Sequence, residues 1–336
     1  MTMRSIGILR LLSRATLAFA ALLATAAYPM QAQTDPAANF PNKPIRMIVP
    51  FAAGGGNDIF ARLVGAKASE FLGQQFVIEN RPAAGGRIAA EFAAHQPGDG
   101  YTVFVGASGV MSISAAVYPK LAYHPTKSFI PLTMTADFPL IMTSPVNIAP
   151  KTVGEIVAYA KANPDKANYG TTSPAFTIAA ELLKLKSGMP GVAIPLKSSS
   201  EMILCVMQQN CLVSMSDGPP AIPQIKDGKV RAVAVTGDQR SPELPDVPSM
   251  AEAGYPEVNT KLWSGFFAPA ATPPAIARKL EAAFSRAIRD PDVSAKLKAM
   301  AVQPSGNSSD EFRKIVDNDI KTYVEVVKAA NLHFEE

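Results

Sequence analysis

From Pro41 onward the chain alternates short apolar runs with longer stretches whose apolar residues recur every three or four positions. The first run, Ile45–Phe51, predicts a strand. In the next stretch, Asp58–Leu72, the residues Ile59, Phe60, Leu63, Val64 and Phe71 share one side, and Gly73 follows as a stop. That is the spacing of an amphipathic helix and its terminator. The same reading predicts a strand at Gln75–Glu79, a helix at Gly85–Ala94 ending before Pro97, and a strand at Tyr101–Ala107. A second series begins near Asp137. Thr152-Val153-Gly154-Glu155 has capping-box spacing and opens a helix that runs to Ala162. Strands are predicted at Ala167–Gly170, Val192–Leu196, Leu212–Ser216 and Val230–Thr236, with helices at Phe176–Lys186 and Ser198–Gln209 between them. Ser249-Met250-Ala251-Glu252 repeats the capping spacing. Leu262–Ala268, which holds the only tryptophan, Trp263, predicts a further strand. Pro274–Arg289, Val293–Ala299 and Asp310–Ala329 predict helices.

Strands alternating with helices predict an α/β fold with a mostly parallel sheet. No repeat or flexible linker separates the two series. They read as two lobes joined by crossing strands. Residues 34–135 and 258–336 are assigned to lobe 1 and residues 136–257 to lobe 2. Leu132–Thr143 and Asn259–Phe267 are the candidate hinges.

The N-terminus changes the picture of where the chain works. Arg4, Arg10 and Arg14 precede the largely apolar run Leu17–Ala27, and a small-residue cut falls near Ala32. Residues 1–32 read as a secretory signal peptide, because the apolar run is shorter than the ~20 residues of a spanning helix. The location expected is the periplasm. The formal charge is +4, of which the leader supplies three arginines and no acid, leaving about +1. That is no nucleic-acid footprint. In an oxidising compartment Cys205 and Cys211 are placed to form a short disulfide. Asn210 is expected as the left-handed residue ending the helix, and positions on either side of such a stop touch. The alternative is two buried thiols. Zinc is disfavoured, since two sulfurs do not fill four positions.

Candidate chemistry starts at Gly54-Gly55-Gly56-Asn57-Asp58, between the first strand and the first helix. A glycine loop there exposes backbone N–H groups at a helix N-terminus, which favours an anion without any Lys or Arg. A dinucleotide fingerprint would need glycine where Ile59 stands, and no Gly-Lys-Ser/Thr follows for a P-loop. The three histidines, His95, His124 and His333, have no ligand partner at helical spacing, and Gly106-Ala107-Ser108-Gly109-Val110 lacks the last glycine of a nucleophile elbow. No nucleophile or base emerges, so the protein is read as a non-enzyme without cofactor or metal. What remains is a set of small polar residues after strand ends: Ala107-Ser108, Thr171-Thr172-Ser173 and Asp217. Ligands of open α/β sheets bind at such ends.

The stretches Phe40-Pro41-Asn42-Lys43-Pro44-Ile45, Val49-Pro50-Phe51-Ala52-Ala53-Gly54-Gly55-Gly56-Asn57-Asp58, Glu79-Asn80-Arg81-Pro82, Asp99-Gly100-Tyr101, Asp227-Gly228-Lys229-Val230-Arg231-Ala232, Leu244-Pro245-Asp246-Val247-Pro248 and Trp263-Ser264-Gly265 occur in that order. In this arrangement the chain resembles the Bug-type solute-binding proteins of tripartite tricarboxylate transporters, from about Phe40 to Asn331. The resemblance implies a two-lobed periplasmic-binding-protein fold (Venus flytrap, type II-like) with crossing hinge strands, capture of a small organic acid between the lobes, and its delivery to membrane permease subunits. The alternative role is a sensing subunit that docks on an extracytoplasmic signalling kinase domain. A monomer is expected. The ligand-contacting residues expected are Phe51, Ala53, Gly54, Gly55, Gly56, Asn57, Asp58, Ala107 and Ser108 of lobe 1, and Thr171, Thr172, Ser173, Phe176 and Asp217 of lobe 2. Two departures from the family pattern concern the distal pocket. Ser173-Pro174-Ala175-Phe176 is shorter than the usual glycine-rich loop and has no histidine, and Leu196-Lys197-Ser198-Ser199 replaces Tyr-Lys-Gly-Gly.

Overall fold

The computed structural model describes residues 37–331; the leader predicted for residues 1–32 and His333 lie outside the described residues. The first strand, β1 (Ile45–Val49), is buried at every position but Arg46, which is half-buried. A strand apolar on both faces belongs inside a sheet. It feeds α1 (Gly56–Leu72), and β2 (Phe76–Asn80), α2 (Arg87–Ala94) and β3 (Thr102–Ala107) follow. The chain then winds through a π-helical turn at Gly109–Ile113 into α3 (Ser114–Val117). Two consecutive strands, β4 (Phe129–Pro139) and β5 (Ile141–Pro145), carry it onward to α4 (Val153–Ala162). Next come β6 (Tyr169–Thr171), α5 (Pro174–Ser187), β7 (Ala193–Pro195), α6 (Ser199–Met207), β8 (Val213–Ser216), α7 (Gly218–Lys226) and β9 (Val230–Val235). The return consists of β10 (Lys261–Pro269), α8 (Pro274–Arg289), α9 (Pro291–Lys298), β11 (Gln303–Pro304) and α10 (Ser309–Ala329).

These strands form two sheets, in the orders β11-β4-β10-β3-β1-β2 and β7-β6-β8-β5-β9. Both are mixed, which corrects the expectation of a mostly parallel sheet. β1 runs parallel to β2 and β3, but β10 is antiparallel to β3 and β4. In the second sheet β6 is parallel to β7 and β8, while β5 is antiparallel to β8 and β9. The antiparallel members are the strands that leave one sheet or return to it, and such strands need no helical crossover. Each sheet packs its own core. Ile48, Phe104, Phe129, Trp263, Phe267 and Phe312 belong to the first, and Ile141, Ile203, Val206, Ile222 and Val235 to the second.

The chain passes from the first sheet to the second at Leu140 and comes back between Val235 and Lys261. One threonine ties these crossings together. Thr236 exchanges hydrogen bonds with the Leu140 backbone, both at 2.8 Å, and its hydroxyl donates to the Thr260 carbonyl at 2.6 Å. The tie lies within or beside both predicted hinge segments.

Several local expectations need correction. Gly85–Ala94 is not one helix. A 3₁₀ turn at Ala84–Gly86 with Gly85 and Gly86 at positive φ precedes α2. At Ser249–Glu252 both capping bonds form, yet only a turn follows, because Gly254 takes a φ of +91°. Asn210 is not the left-handed residue; Gln209 is, with φ +60°. Helix α6 ends two residues earlier than expected. Its stop is a Schellman arrangement in which Gln209 N–H donates to Val206 and Asn210 N–H to Cys205, both at 3.0 Å. Cys205 and Cys211 are joined by a disulfide. Helix α7 forms despite three prolines, since Pro219 and Pro220 occupy its first turn, where N–H groups have no intrahelical partner.

Candidate functional site

Gly54 has a φ of +82°, in the region that favours glycine, so the chain can turn back on itself before α1. Its N–H donates to Asp58 Oδ2 at 2.9 Å. The other Asp58 contacts come from Arg62, whose Nε donates to Oδ2 at 2.9 Å and whose Nη2 donates to Oδ1 at 3.0 Å, and from Asn80 Nδ2, which donates to Oδ1 at 3.0 Å. Burial pushes the Asp58 carboxyl upward. Hydrogen bonds from Arg62, the Gly54 N–H and Asn80, with the Arg62 charge, more than offset this and hold it below the usual carboxylate range. Asp58 therefore fixes the loop from behind. Asn57 is held by the Ser264 hydroxyl, which donates to its Oδ1 at 2.7 Å.

The second sheet brings its strand-end loops up against this turn. The Ala52 N–H donates to the Lys197 carbonyl at 3.1 Å, the Gly56 N–H donates to Ser199 Oγ at 3.3 Å, and the Ser200 hydroxyl donates to the Gly54 carbonyl at 2.5 Å. Asp217, at the end of β8, reaches furthest across. It is 1 % exposed, and a Cβ built on Gly56 would stand 2.2 Å from its Oδ2. Only glycine at position 56 permits that approach. Burial pushes the Asp217 carboxyl up to about 6, although the Ser199 hydroxyl and its own backbone N–H favour the charged form.

A small cavity of about 10 Å³ lies at this junction, lined by Phe51, Gly55, Gly56, Asn57, Thr172, Phe176, Ser199 and Asp217. All of these but Phe51, which follows β1, belong to the first turns, or the residues just before them, of α1, α5, α6 and α7. Four helix N-termini thus meet at one point. Each carries a partial positive charge, although Pro174 of α5 and Pro219 and Pro220 of α7 present no N–H, so a small anion is favoured there without a cationic side chain.

Of the residues expected from the sequence, Phe51, Gly55, Gly56, Asn57, Thr172, Phe176 and Asp217 line this cavity together. Ala53 and Gly54 are exposed at its rim, and Asp58 stands behind the loop. Ala107 lies in β3, where it pairs with Ser264, and the Ser108 hydroxyl accepts from the Trp263 N–H at 3.3 Å. The Thr171 hydroxyl bonds within its own loop, to Thr177 Oγ1 at 2.7 Å. Ser173 is buried with its hydroxyl unpartnered, close against Gly109. Ser199 and Ser200 were not among the expected contacts. The replacement of Gly-Gly by Ser198-Ser199 was a signal for Ser199; nothing in the sequence marked Ser200. His95 and His124 serve local backbone contacts, His95 with the Glu91 carbonyl and His124 with the N–H groups of Thr126 and Lys127. Among the described residues, no group of three or more His, Cys, Asp or Glu side chains is placed to hold a metal ion, and no helix is long and apolar enough to cross a membrane.

Two α/β lobes whose helix N-termini meet over one cavity define a two-lobed solute-binding protein of the periplasmic type. Residues 60–332 match the tripartite tricarboxylate transporter family receptor, and the chain belongs to that family, among the Bug-type receptors. A UPF0065 protein from the gbd 5′ region of Cupriavidus necator is 32 % identical over 325 residues, covering 96 % of this chain and 97 % of that protein. The periplasmic binding protein BugD is 28 % identical with a TM-score of 0.84, covering 88 % of this chain and 100 % of its own. MatC (Rpa3494) from Rhodopseudomonas palustris, solved with bound malate, is 31 % identical with a TM-score of 0.82, covering 86 % and 100 %.

Proposed function

We propose that this chain captures a small organic acid between its lobes, outside the cytoplasm, and delivers it to the membrane subunits of a tripartite tricarboxylate-type permease. The observation that carries this reading is the meeting of four helix N-termini at the cavity between Gly55–Asn57 and Ser199–Asp217. Such a site supplies N–H donors and positive potential to a carboxylate. MatC, which holds malate, is a similar protein whose ligand has that chemistry. In this reading residues 1–32 are a cleaved leader, residues 34–135 and 258–336 make one lobe, and residues 136–257 make the other. The receptor acts as a monomer and does no chemistry on its ligand.

The test is a thermal-shift screen of the leader-free protein after unfolding and refolding to strip carried-over ligand. The panel spans aliphatic and aromatic monocarboxylates, dicarboxylates, tricarboxylates and amino acids. Ligand at a hundred times its dissociation constant adds about 2.7 kcal/mol of stability. One structural class of acids is expected to raise the melting temperature. A flat response across all of them overturns the receptor reading.

A further inference from the structure

A second cavity, of about 510 Å³, lies behind the strands that join the lobes. In the first sheet β3, β1 and β2 stand on one side of β10, and β4 and β11 on the other. In the second sheet β8, β6 and β7 stand on one side of β5, and β9 on the other. The cleft loops follow β1, β6, β7 and β8. The rear cavity is lined instead by residues after β9 and residues leading into β11, with Pro139, Thr236 and Thr260 of the crossings beside them. The crossings therefore run between the two cavities, and the Thr236 tie is the pivot. Ala301, just before β11, also packs into the core of the second sheet, which hinges the rear walls along one edge. A rotation that parts the cleft loops brings these walls together.

The rear walls carry opposite charges. Asp238 and Glu243 stand on the wall from the second lobe, and Lys298, in the last turn of α9, on the wall from the first. The remaining charged groups of the cavity are held within their own lobes, Lys261 by Asp137 and Arg240 by Glu252. Among the described residues, no ion pair joins the two walls while the hydrogen bonds of Ala52, Gly56 and Ser200 hold the cleft loops together. Resting on the receptor reading above, we propose that the rear cavity is a latch for the open form: as the cleft opens, Lys298 closes on Asp238 and Glu243 and pairs with them. An exposed ion pair shifts an equilibrium by about 1.4- to 5-fold. Latch and cleft contacts oppose each other, and their balance sets the fraction of molecules that stand open and, through it, the apparent affinity.

The test is small-angle scattering of the leader-free protein with no organic acid added, fitted for the ratio of open to closed molecules. The proteins compared are the wild type, Lys298→Glu, Glu243→Lys and the charge swap that combines them. Each single reversal sets like charges against one another across the rear cavity, and each is expected to lower the open-to-closed ratio at least twofold. The swap is expected to restore the wild-type ratio. Raising sodium chloride from about 0.02 to about 0.5 M should close the wild type by screening the latch. In Lys298→Ala that part of the response should be lost, which separates it from any effect of chloride on the cleft. Single reversals as open as the wild type, a swap that fails to restore the ratio, or the same salt response in Lys298→Ala overturns the latch. So does a wild type with no open population. These outcomes leave the receptor reading standing if the acid screen gives a shift, since that screen needs no open-form ion pair. The substituted side chains lie at the edge of an open cavity, so the variants are expected to melt as the wild type does. Should a reversal fail to fold, Lys298→Ala and the salt series decide.

Discussion

Gly56→Ala isolates the contact on which closure depends. Position 56 is the first residue of α1, where alanine suits the backbone and has the better helix propensity by up to ~1 kcal/mol. The lobe itself should therefore fold as well as before. The added Cβ, however, would stand 2.2 Å from Asp217 Oδ2 and 2.9 Å from its Cγ, where ordinary contact begins at 3.4 Å. The shortfall at Oδ2, 3.4 − 2.2, is 1.2 Å. Asp217 has little space to retreat, since it is 1 % exposed and the cavity beside it is walled by Thr172, Phe176 and Ser199. Either its side chain is displaced or the lobes part, and the bonds Ala52 N–H to Lys197 and Gly56 N–H to Ser199 stretch with them. Overpacking of this kind costs about 1–3 kcal/mol, which is a 5- to 150-fold loss of affinity for any ligand that requires closure. Calorimetry with a ligand from the screen measures the loss, and small-angle scattering measures the opening. A double-mutant cycle identifies the cause. In an Asp217→Gly background, Gly56→Ala should have little effect, because the clashing oxygen is gone. Wild-type affinity and compactness in Gly56→Ala, or the same penalty in both backgrounds, would refute the reasoning.

Asp58→Ala leaves the N–H of Gly54 and the amide of Asn80 without their acceptor and frees Arg62. A loss of about 2–3 kcal/mol is expected, read as a lower urea midpoint at unchanged slope. The folded Asp217 carboxyl titrates at about 6, above its ordinary 3.8, so the native state holds more protons between those values. Stability should fall by up to ~3 kcal/mol as pH rises from about 4 to 6 and then level off; chemical denaturation across that range should show the slope in the wild type and its loss in Asp217→Asn. The disulfide closes a loop of sequence separation 6, and replacing both Cys205 and Cys211 by serine should cost about 2 kcal/mol on the loop-entropy estimate, checked by calorimetric melting.

The sequence carried the first lobe's half of the site more fully than the second's. Gly54–Asp58 can be read from local rules, since glycines between a strand and an amphipathic helix leave few alternatives. Even there the role of Asp58 emerges only with Arg62 and Asn80 in place, because Asn80 is distant in sequence and reaches it through the β1–β2 pairing. The mixed sheets were hidden for a similar reason. A run such as Ile130–Thr143 looks like one interrupted apolar stretch, yet its break at Leu140 is where the chain changes sheets, and the partner that fixes it is Thr236. Asp217 is the extreme case. As a residue after a strand it looks like any acidic N-cap, and nothing in Met215-Ser216-Asp217-Gly218 says that it caps no helix, loses its solvent and lies on a glycine of the other lobe. Those properties come from closure, which brings residues 56 and 217 together. Closure also explains why an acid stands where four positive helix ends meet. The ends repel one another, and a carboxylate among them lowers that repulsion while leaving one oxygen unsatisfied.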